Sequence, residues 1–212
     1  MMMKIDIIES YLEELYPNPK CELNYTKDYE LLIATMLSAQ TTDKRVNMVT
    51  SILFDKYNTL NKLKKASIED ISNIIRPLGS FRKKAVYTKK IACIIEDEYN
   101  GIVPNNRKAL ESIPGVGRKT ANVVLSNLYD IPNIAVDTHV ERVSKRLGLA
   151  KDKDTVREVE EKLKRKYKRD VWSRRHHQMV LFGRYHCKAI SPNCDNCKLR
   201  DECKYYKKKN TK

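Results

Sequence analysis

The sequence has no uninterrupted apolar run of about 18 residues, the length that a membrane-spanning helix needs. Its opening stretch, MMMKIDIIESYLEELYPNPK, carries acidic residues and a helical pattern where a secretory signal would need an unbroken apolar segment. We therefore expect an intracellular protein with no membrane segment. In such a reducing compartment, clustered cysteines indicate a metal site rather than disulfide bonds.

Acidic residues are scarce relative to basic ones. The 212 residues include 42 Lys and Arg but only 27 Asp and Glu, which gives a formal net charge of +15. Residues 151–212 hold 20 basic and 9 acidic residues and so carry +11 of that charge. A charge of this size attracts polyanions such as nucleic acid or an anionic membrane surface. The C-terminal third is the expected polyanion-binding part of the chain.

The sequence also lacks any long stretch of strict apolar and polar alternation, so no strand is expected. Apolar residues recur instead at helical spacing, and Thr155 with Glu158 three residues later matches a capping box. With 41% hydrophobic residues the chain can build a core. These patterns predict an all-α protein of about ten helices. The clearest stripes are Tyr29, Leu32, Ile33, Met36 and Leu37; Tyr87, Ile91, Ile94 and Ile95; and Ala121, Val124, Leu125 and Leu128.

The stretch IPGVGRKTANVVL, residues 113–125, places two glycines at the start of a helical pattern. The unpaired N–H groups of a helix N-terminus bind anions, and glycine allows a phosphate to approach the backbone closely. A helix on either side of Gly115, Val116 and Gly117 would form a helix-hairpin-helix, which binds the DNA backbone without reading sequence. The alternative is an ordinary turn between two helices.

Lys119 and Asp137 are candidate catalytic residues. Lys119 follows the glycine turn, and a neutral amine there could attack a sugar carbon or form a Schiff base. Asp137 lies in IAVDTHVERV, where an apolar run leads into a new helix. A solvated lysine and a simple helix N-cap are the alternative interpretations of these two residues.

Four cysteines lie close together near the end of the sequence. Cys187, Cys194, Cys197 and Cys203 have the spacing C-x6-C-x2-C-x5-C within 17 residues. This density indicates a metal centre, with reduced structural cysteines as the alternative. Zinc sites usually pair their cysteines through short spacers at both ends, whereas a 4Fe-4S cluster tolerates wider loops. The spacing thus favours iron and sulfur while leaving zinc open.

These motifs, together with LLIATMLSAQTTDKRVN near the start, resemble in order and spacing those of the endonuclease III family. That family comprises bifunctional DNA glycosylases and abasic-site lyases of the helix-hairpin-helix, Gly/Pro-Asp superfamily. The resemblance implies a two-lobed all-α fold with a six-helix barrel over residues 21–131. Residues 1–20 and 132–212 would form a second lobe that carries a 4Fe-4S cluster held by the four cysteines. Double-stranded DNA would lie between the lobes of a monomer.

The resemblance also implies a mechanism and a substrate. Lys119 matches the lysine that attacks C1′ of a damaged nucleotide, expels the base and forms a Schiff base, after which β-elimination cuts the strand. Asp137 matches the aspartate that stabilises the cationic sugar or assists proton transfer. The implied substrates are oxidised pyrimidines such as thymine glycol, flipped out of the base stack.

Several further residues are expected to touch DNA. Gln40 matches the residue that fills the gap left by the flipped nucleotide. Ser80 departs from the family, which commonly has an apolar wedge there, and Leu78 or Phe81 could substitute for it. His139 and Arg142 are expected to contact phosphates, the alternative being an ordinary exposed helix face.

A second functional class is a DNA-binding module without catalysis. Such a module would need neither a nucleophile nor a positioned carboxylate, so Lys119 and Asp137 favour the enzyme. Related adenine-specific mismatch glycosylases lack a lysine at this position, as do most thymine-mismatch relatives. The lysine therefore disfavours mismatched adenine and mismatched thymine as substrates.

Overall fold

The computed structural model describes residues 4–210, apart from the side chain of Asn210, and this part of the chain contains α-helices and no strand. The predicted all-α class is confirmed. No helix in the described range is long and apolar enough to cross a membrane. Twelve α-helices follow in order: α1 Lys4–Leu15, α2 Asp28–Leu37, α3 Asp43–Lys56, α4 Leu60–Lys65, α5 Ile68–Ile74, α6 Phe81–Glu98, α7 Arg107–Ser112, α8 Arg118–Leu128, α9 Thr138–Leu147, α10 Val156–Lys166, α11 Trp172–Leu181 and α12 Lys204–Asn210.

The chain divides into two compact units. One unit is Glu22–Tyr129, which contains α2 to α8, and we call it the hairpin unit. The other comprises the described residues of Met1–Cys21 and Asp130–Lys212, and we call it the cysteine unit. These divisions fall one or two residues from the lobe boundaries that the resemblance implies.

The hairpin unit is built around α2. Nine of the ten residues of α2 are buried, because it packs against α3, α6 and α8. A helix that is apolar on all sides needs such a central place. The long α6 packs in addition against α4 and α5, and α7 packs against α8.

Side-chain caps start the shorter helices of the hairpin unit. The Thr59 hydroxyl accepts a hydrogen bond from the Lys62 N–H at 3.2 Å, at the start of α4. The Ser67 hydroxyl and the Asn106 side-chain oxygen do the same for α5 and α7, at 3.0 and 2.9 Å. Helices of six or seven residues are not stable alone, so these caps and the tertiary packing hold them.

The cysteine unit combines the N-terminal helix with α9 to α12. Its core includes Ile8 and Leu12 of α1, Val140 and Val143 of α9, and Phe182. Helix α11 continues into a π-helical turn, Phe182–His186, which leads directly to the first clustered cysteine. The polar edge of α1 also contacts the cysteine segment, because Lys4 Nζ donates to the Glu202 carbonyl at 2.7 Å and the Tyr11 hydroxyl donates to the Asn196 carbonyl at 3.2 Å.

The capping box predicted at Thr155 is confirmed at the start of α10. The Thr155 N–H donates to Glu158 Oε2 at 2.8 Å, and the Glu158 N–H donates to the Thr155 hydroxyl at 3.3 Å. Two otherwise unpaired N–H groups of the first turn are thereby satisfied.

Candidate functional site

The predicted helix-hairpin-helix is formed by α7, a five-residue turn and α8. Two buried side chains hold the turn to the hairpin unit, since Ile113 and Val116 are 2% and 5% exposed. The Val116 N–H also donates to the Ile113 carbonyl at 3.0 Å. Gly115 and Gly117 face solvent on the other side. The turn therefore offers its backbone to a ligand while its apolar side chains hold it to the unit.

The two hairpin glycines are needed for different reasons. Gly115 has a φ of +88°, and a Cβ on it would lie 2.7 Å from Cδ2 of the Tyr87 ring. Gly117 has an extended backbone with a φ of −95°, and a Cβ there would meet nothing within 4 Å. The fold thus requires Gly115, whereas a requirement at Gly117 would have to come from a ligand.

Substituting each glycine with alanine separates folding from phosphate binding. For Gly115→Ala we expect a loss of about 2 to 4 kcal/mol in the free energy of unfolding, from backbone strain and the clash with Tyr87. Gly117→Ala should keep or raise stability by about 0.5 kcal/mol. It should still weaken DNA binding about tenfold, or ~1.4 kcal/mol, because the new Cβ blocks the phosphate. Chemical denaturation and titration of a duplex with an abasic analogue measure both effects. Parental DNA affinity in Gly117→Ala would contradict close phosphate contact at this turn.

Lys119 is the second residue of α8 and its side chain is exposed. The first backbone bond of the helix runs from the Ala121 N–H to the Gly117 carbonyl at 2.9 Å. Backbone N–H groups in the first turn of a helix generally lack an acceptor within the helix, and such a turn favours a bound anion. The Lys119 amine therefore lies in the first turn of the second hairpin helix.

Asp137 is the N-cap of α9, which is the alternative interpretation that the sequence left open. Its Oδ1 accepts hydrogen bonds from the backbone N–H groups of His139 at 2.9 Å and Val140 at 2.8 Å. The preceding residues, Ile134 to Val136, are buried and fix the approach of the chain. Because Oδ1 accepts both hydrogen bonds, the second carboxylate oxygen, Oδ2, takes no part in the cap and is available for another interaction.

The two loops predicted to insert into DNA share an unusual backbone conformation. Gln40 and Ser80 are both exposed, and both have left-handed φ values, of 54° and 57°. Non-glycine residues in this conformation are uncommon and often mark functional loops. Leu78, by contrast, is only 2% exposed and packs in the core of the hairpin unit, so the expectation that it touches DNA is wrong. Phe81 is half-buried and remains the candidate apolar wedge.

His139 and Arg142 bond to groups inside the cysteine unit. Arg142 donates from Nη2 to the Gly183 carbonyl at 2.7 Å and from Nε to the Cys187 carbonyl at 3.2 Å, and its Nη2 lies 3.2 Å from His139 Nδ1. Burial lowers the pKa of both side chains from their ordinary values. The structure therefore gives them an internal role, joining α9 to the π-helical turn, and the expected phosphate contacts stay a prediction.

The four clustered cysteines line one shared cavity. None of them forms a disulfide. Apolar and aromatic side chains form much of the remaining wall, including Leu147, Phe182, Tyr205 and Tyr206. Across residues 4–210, no three His, Cys, Asp or Glu side chains are grouped so as to hold a single metal ion. The fold thus brings the four cysteines to the wall of one shared cavity.

The chemistry of these thiols fits a cationic ligand. Burial and, to a lesser extent, the neighbouring cysteines together raise the pKa of Cys197 to about 11. The pKa of Cys194 is raised for the same two reasons. Deprotonated thiolates repel one another in an apolar pocket, and metal ions bound between them offset that repulsion. The residues present thus suit a cysteine-ligated iron-sulfur group.

Comparison with known proteins identifies the family. Residues 33–169 match the family described as HhH-GPD superfamily base excision DNA repair protein. The chain belongs to this superfamily. It is 45% identical to endonuclease III of Bacillus subtilis (strain 168), over 100% of this chain and 98% of the relative. It is 43% identical to endonuclease III of Escherichia coli (strain K12), over 93% of each chain.

Three solved structures share the fold of this chain. The fold matches a trapped endonuclease III-DNA covalent intermediate with a TM-score of 0.93 and 46% identity, over 99% of this chain and 100% of that one. A non-covalent endonuclease III-DNA complex matches with a TM-score of 0.94 and 46% identity over 100% of both chains. A thermostable thymine-DNA glycosylase, 23% identical over 97% of each chain with a TM-score of 0.85, shares the fold.

One residue near the cavity that the four cysteines line was not predicted from the sequence. Arg146 donates from Nη1 to the Lys188 carbonyl at 2.6 Å and from Nη2 to the Ala189 carbonyl at 3.0 Å. Its guanidinium also lies 4.3 Å from the ring centroid of Tyr205. Its position four residues after Arg142, on the same face of α9, was the available signal. The two arginines together hold the chain on either side of Cys187.

Replacing Arg146 should loosen whatever group the cysteines hold. Arg146→Lys keeps the charge but loses the planar fork that reaches two carbonyls. We expect the visible absorbance of an iron-sulfur group bound by the four cysteines to be lost about tenfold faster in the presence of an iron chelator. Arg165→Lys, on the exposed face of α10, is the matched control and should retain the parental rate. Equal rates in all three proteins would show that Arg146 does not support the cavity.

Proposed function

We propose that this protein is a base excision repair enzyme that removes oxidised pyrimidines from double-stranded DNA and cuts the strand at the resulting abasic site. The observation that carries the proposal is the position of Lys119, exposed in the first turn of α8 directly after the glycine hairpin. The chain that holds it is 45% identical to an endonuclease III over its whole length.

DNA binding is the first step. The hairpin backbone at Gly115 and Gly117 binds a phosphate of the damaged strand, without reading the base sequence. The target nucleotide leaves the stack, which costs less for a damaged pyrimidine than for an intact pair. Gln40 occupies the gap that the nucleotide leaves.

Lys119 then acts as the nucleophile. Its neutral amine attacks C1′, the bond between C1′ and the base breaks, and the base departs with a proton. Opening of the sugar ring gives an iminium ion that joins Nζ to C1′. Loss of a proton from C2′ breaks the bond from C3′ to its phosphate oxygen, and water releases the lysine from the unsaturated aldehyde. The trapped covalent intermediate of the endonuclease III relative supports this chemistry.

Asp137 acts on charge and protons. Its carboxylate stabilises the positive charge that develops on the sugar as the base departs, and it can accept or deliver a proton. The cap that it makes for α9 holds the side chain in one orientation while Oδ2 remains available.

The residues that would hold a 4Fe-4S cluster are Cys187, Cys194, Cys197 and Cys203. When bound, the cluster cross-links the loops between α11 and α12 and so supports the fold of the cysteine unit. No catalytic step needs it. We further propose that the protein works inside the cell as a monomer, since its substrate is DNA and one DNA site needs one chain.

Incubation with a duplex that holds one thymine glycol tests the proposal. The expected products are the free damaged base, a 5′ fragment that ends in an unsaturated aldehyde and a 3′ fragment that begins with a phosphate. An undamaged duplex of the same sequence should remain intact. Binding to the damaged duplex without release of base or cleavage would instead favour the DNA-binding module.

A further inference from the structure

Lys84 is a buried lysine that the proposed mechanism does not use. It lies in the first turn of α6 and is 6% exposed. Its Nζ donates to the Ala39 carbonyl at 2.8 Å and to the Thr41 hydroxyl at 3.1 Å. Both partners are neutral, and burial lowers the pKa of the ammonium group from its ordinary value.

Burial of a cation against neutral partners is unfavourable, and an apolar side chain of similar length would fill the space at lower cost. Packing alone therefore does not explain a lysine here. What the ammonium group provides is two directed hydrogen bonds, and both go to the residues on either side of Gln40. Gln40 itself is exposed and has a φ of 54°.

The backbone of the same residue holds the second loop. The Lys84 N–H donates to the Ser80 carbonyl at 3.1 Å, which is the first turn of α6. Ser80 is exposed and has a φ of 57°. One residue thus connects the Gln40 loop with the Ser80 loop, and each of these loops has an exposed side chain on a left-handed backbone.

We propose that Lys84 is a positioning residue, which fixes the Gln40 loop relative to the Ser80 loop so that Gln40 enters the gap left by the flipped nucleotide. The inference rests on the proposed function and adds a residue to it. Lys84 does not contact the reacting sugar. It acts through Gln40, because its hydrogen bonds keep the Gln40 loop in the conformation that binds DNA.

The test compares five variants with the parental protein. Lys84→Met keeps the length of the side chain and removes the ammonium group, and Thr41→Val removes one of its two acceptors. Lys89→Met is the matched control, because Lys89 lies on the same helix and donates to the Ala66 carbonyl at 2.8 Å, away from Gln40. Gln40→Ala, alone and combined with Lys84→Met, completes a double-mutant cycle.

Two readouts are needed on duplex DNA. The first is the single-turnover rate of base release from thymine glycol. The second is the fluorescence of 2-aminopurine placed opposite an abasic analogue, which reports the filling of the gap. Thermal melting of each variant shows whether the fold is retained. If Lys84→Met melts early, Thr41→Val alone carries the test, since Thr41 is only partly buried.

For Lys84→Met we expect base release to slow by roughly 10-fold to 100-fold, the effect of misplacing one positioning group. The 2-aminopurine signal should change as it does in Gln40→Ala. Thr41→Val should show a smaller change in the same direction, and Lys89→Met none. The double variant should be no slower than Gln40→Ala, because both substitutions remove the same action.

The results that would overturn the role of Lys84 differ from the result that would refute the proposed function. A double variant whose losses multiply, or an unchanged 2-aminopurine signal in folded Lys84→Met or Thr41→Val, overturns the positioning role and leaves the proposed function intact. A parental protein that releases no base refutes the proposed function, and the inference with it.

Discussion

Lys119→Gln should release no thymine glycol and cut no abasic DNA, with rates at least about 10⁴-fold below the parental protein. The reason is that glutamine has no nucleophilic amine, so neither the bond from Nζ to C1′ nor the iminium ion can form. Lys119 is exposed at the start of α8, and its replacement should change the free energy of unfolding by no more than about 0.5 kcal/mol.

Binding separates this loss from a failure to reach the DNA. The hairpin backbone and its buried anchors, Ile113 and Val116, are unchanged in the variant. The dissociation constant for a duplex with an abasic analogue should therefore stay within about tenfold of the parental value, or ~1.4 kcal/mol. Lys108→Gln, in the partner helix α7 of the hairpin, controls for the loss of one positive charge. If Lys119→Gln retained parental cleavage, another residue would be the nucleophile.

Asp137→Asn should slow base release by about 10²-fold to 10⁴-fold while leaving α9 in place. Asparagine caps a helix as well as aspartate does, so its Oδ1 can accept the bonds from His139 and Val140. The substitution exchanges the second oxygen for a neutral donor. It therefore removes the negative charge that stabilises the cationic sugar and retains the local fold.

Asp137→Ala is the comparison that isolates the cap. It should lose the same catalytic rate as Asp137→Asn and, in addition, about 1 kcal/mol in the free energy of unfolding. Single-turnover base release and chemical denaturation of the two variants measure these quantities. Parental base release in Asp137→Asn would limit Asp137 to its structural role.

Local chemistry explains why parts of this site were predictable from the sequence. The Asp137 cap follows from an apolar run that ends in an acidic residue before a helical pattern, and the structure contains it. The capping box of Thr155 follows from spacing in the same way. The hairpin was predictable because glycines, an anion site and a helix start all fall within a few residues.

Long-range contacts explain what the sequence could not predict. Leu78 and Phe81 are apolar residues three apart, and only the packing of the hairpin unit decides that Leu78 is the buried one. The difference between Gly115 and Gly117 depends on the Tyr87 ring, which lies far away in the sequence. In a chain with 42 basic residues, nothing in the sequence distinguishes Lys84 from the solvated lysines.

The positive charge of Arg142 did not reveal which groups its side chain contacts. The sequence places a basic residue shortly after Asp137, where a phosphate contact is a natural expectation. In the structure its guanidinium reaches carbonyls of Gly183 and Cys187, more than forty residues further along the chain. Excess positive charge predicts a polyanionic partner for the chain as a whole, but it does not assign the individual contacts.

The central claim is a Schiff base on Lys119, and borohydride trapping followed by peptide mapping tests it most directly. The parental protein is incubated with a thymine glycol duplex, the iminium ion is reduced, and the cross-linked peptide is sequenced by mass spectrometry. We predict one adduct, on the peptide that contains Lys119, and none with Lys119→Gln. An adduct on a different lysine, or no adduct on either thymine glycol or abasic duplex, would contradict the account.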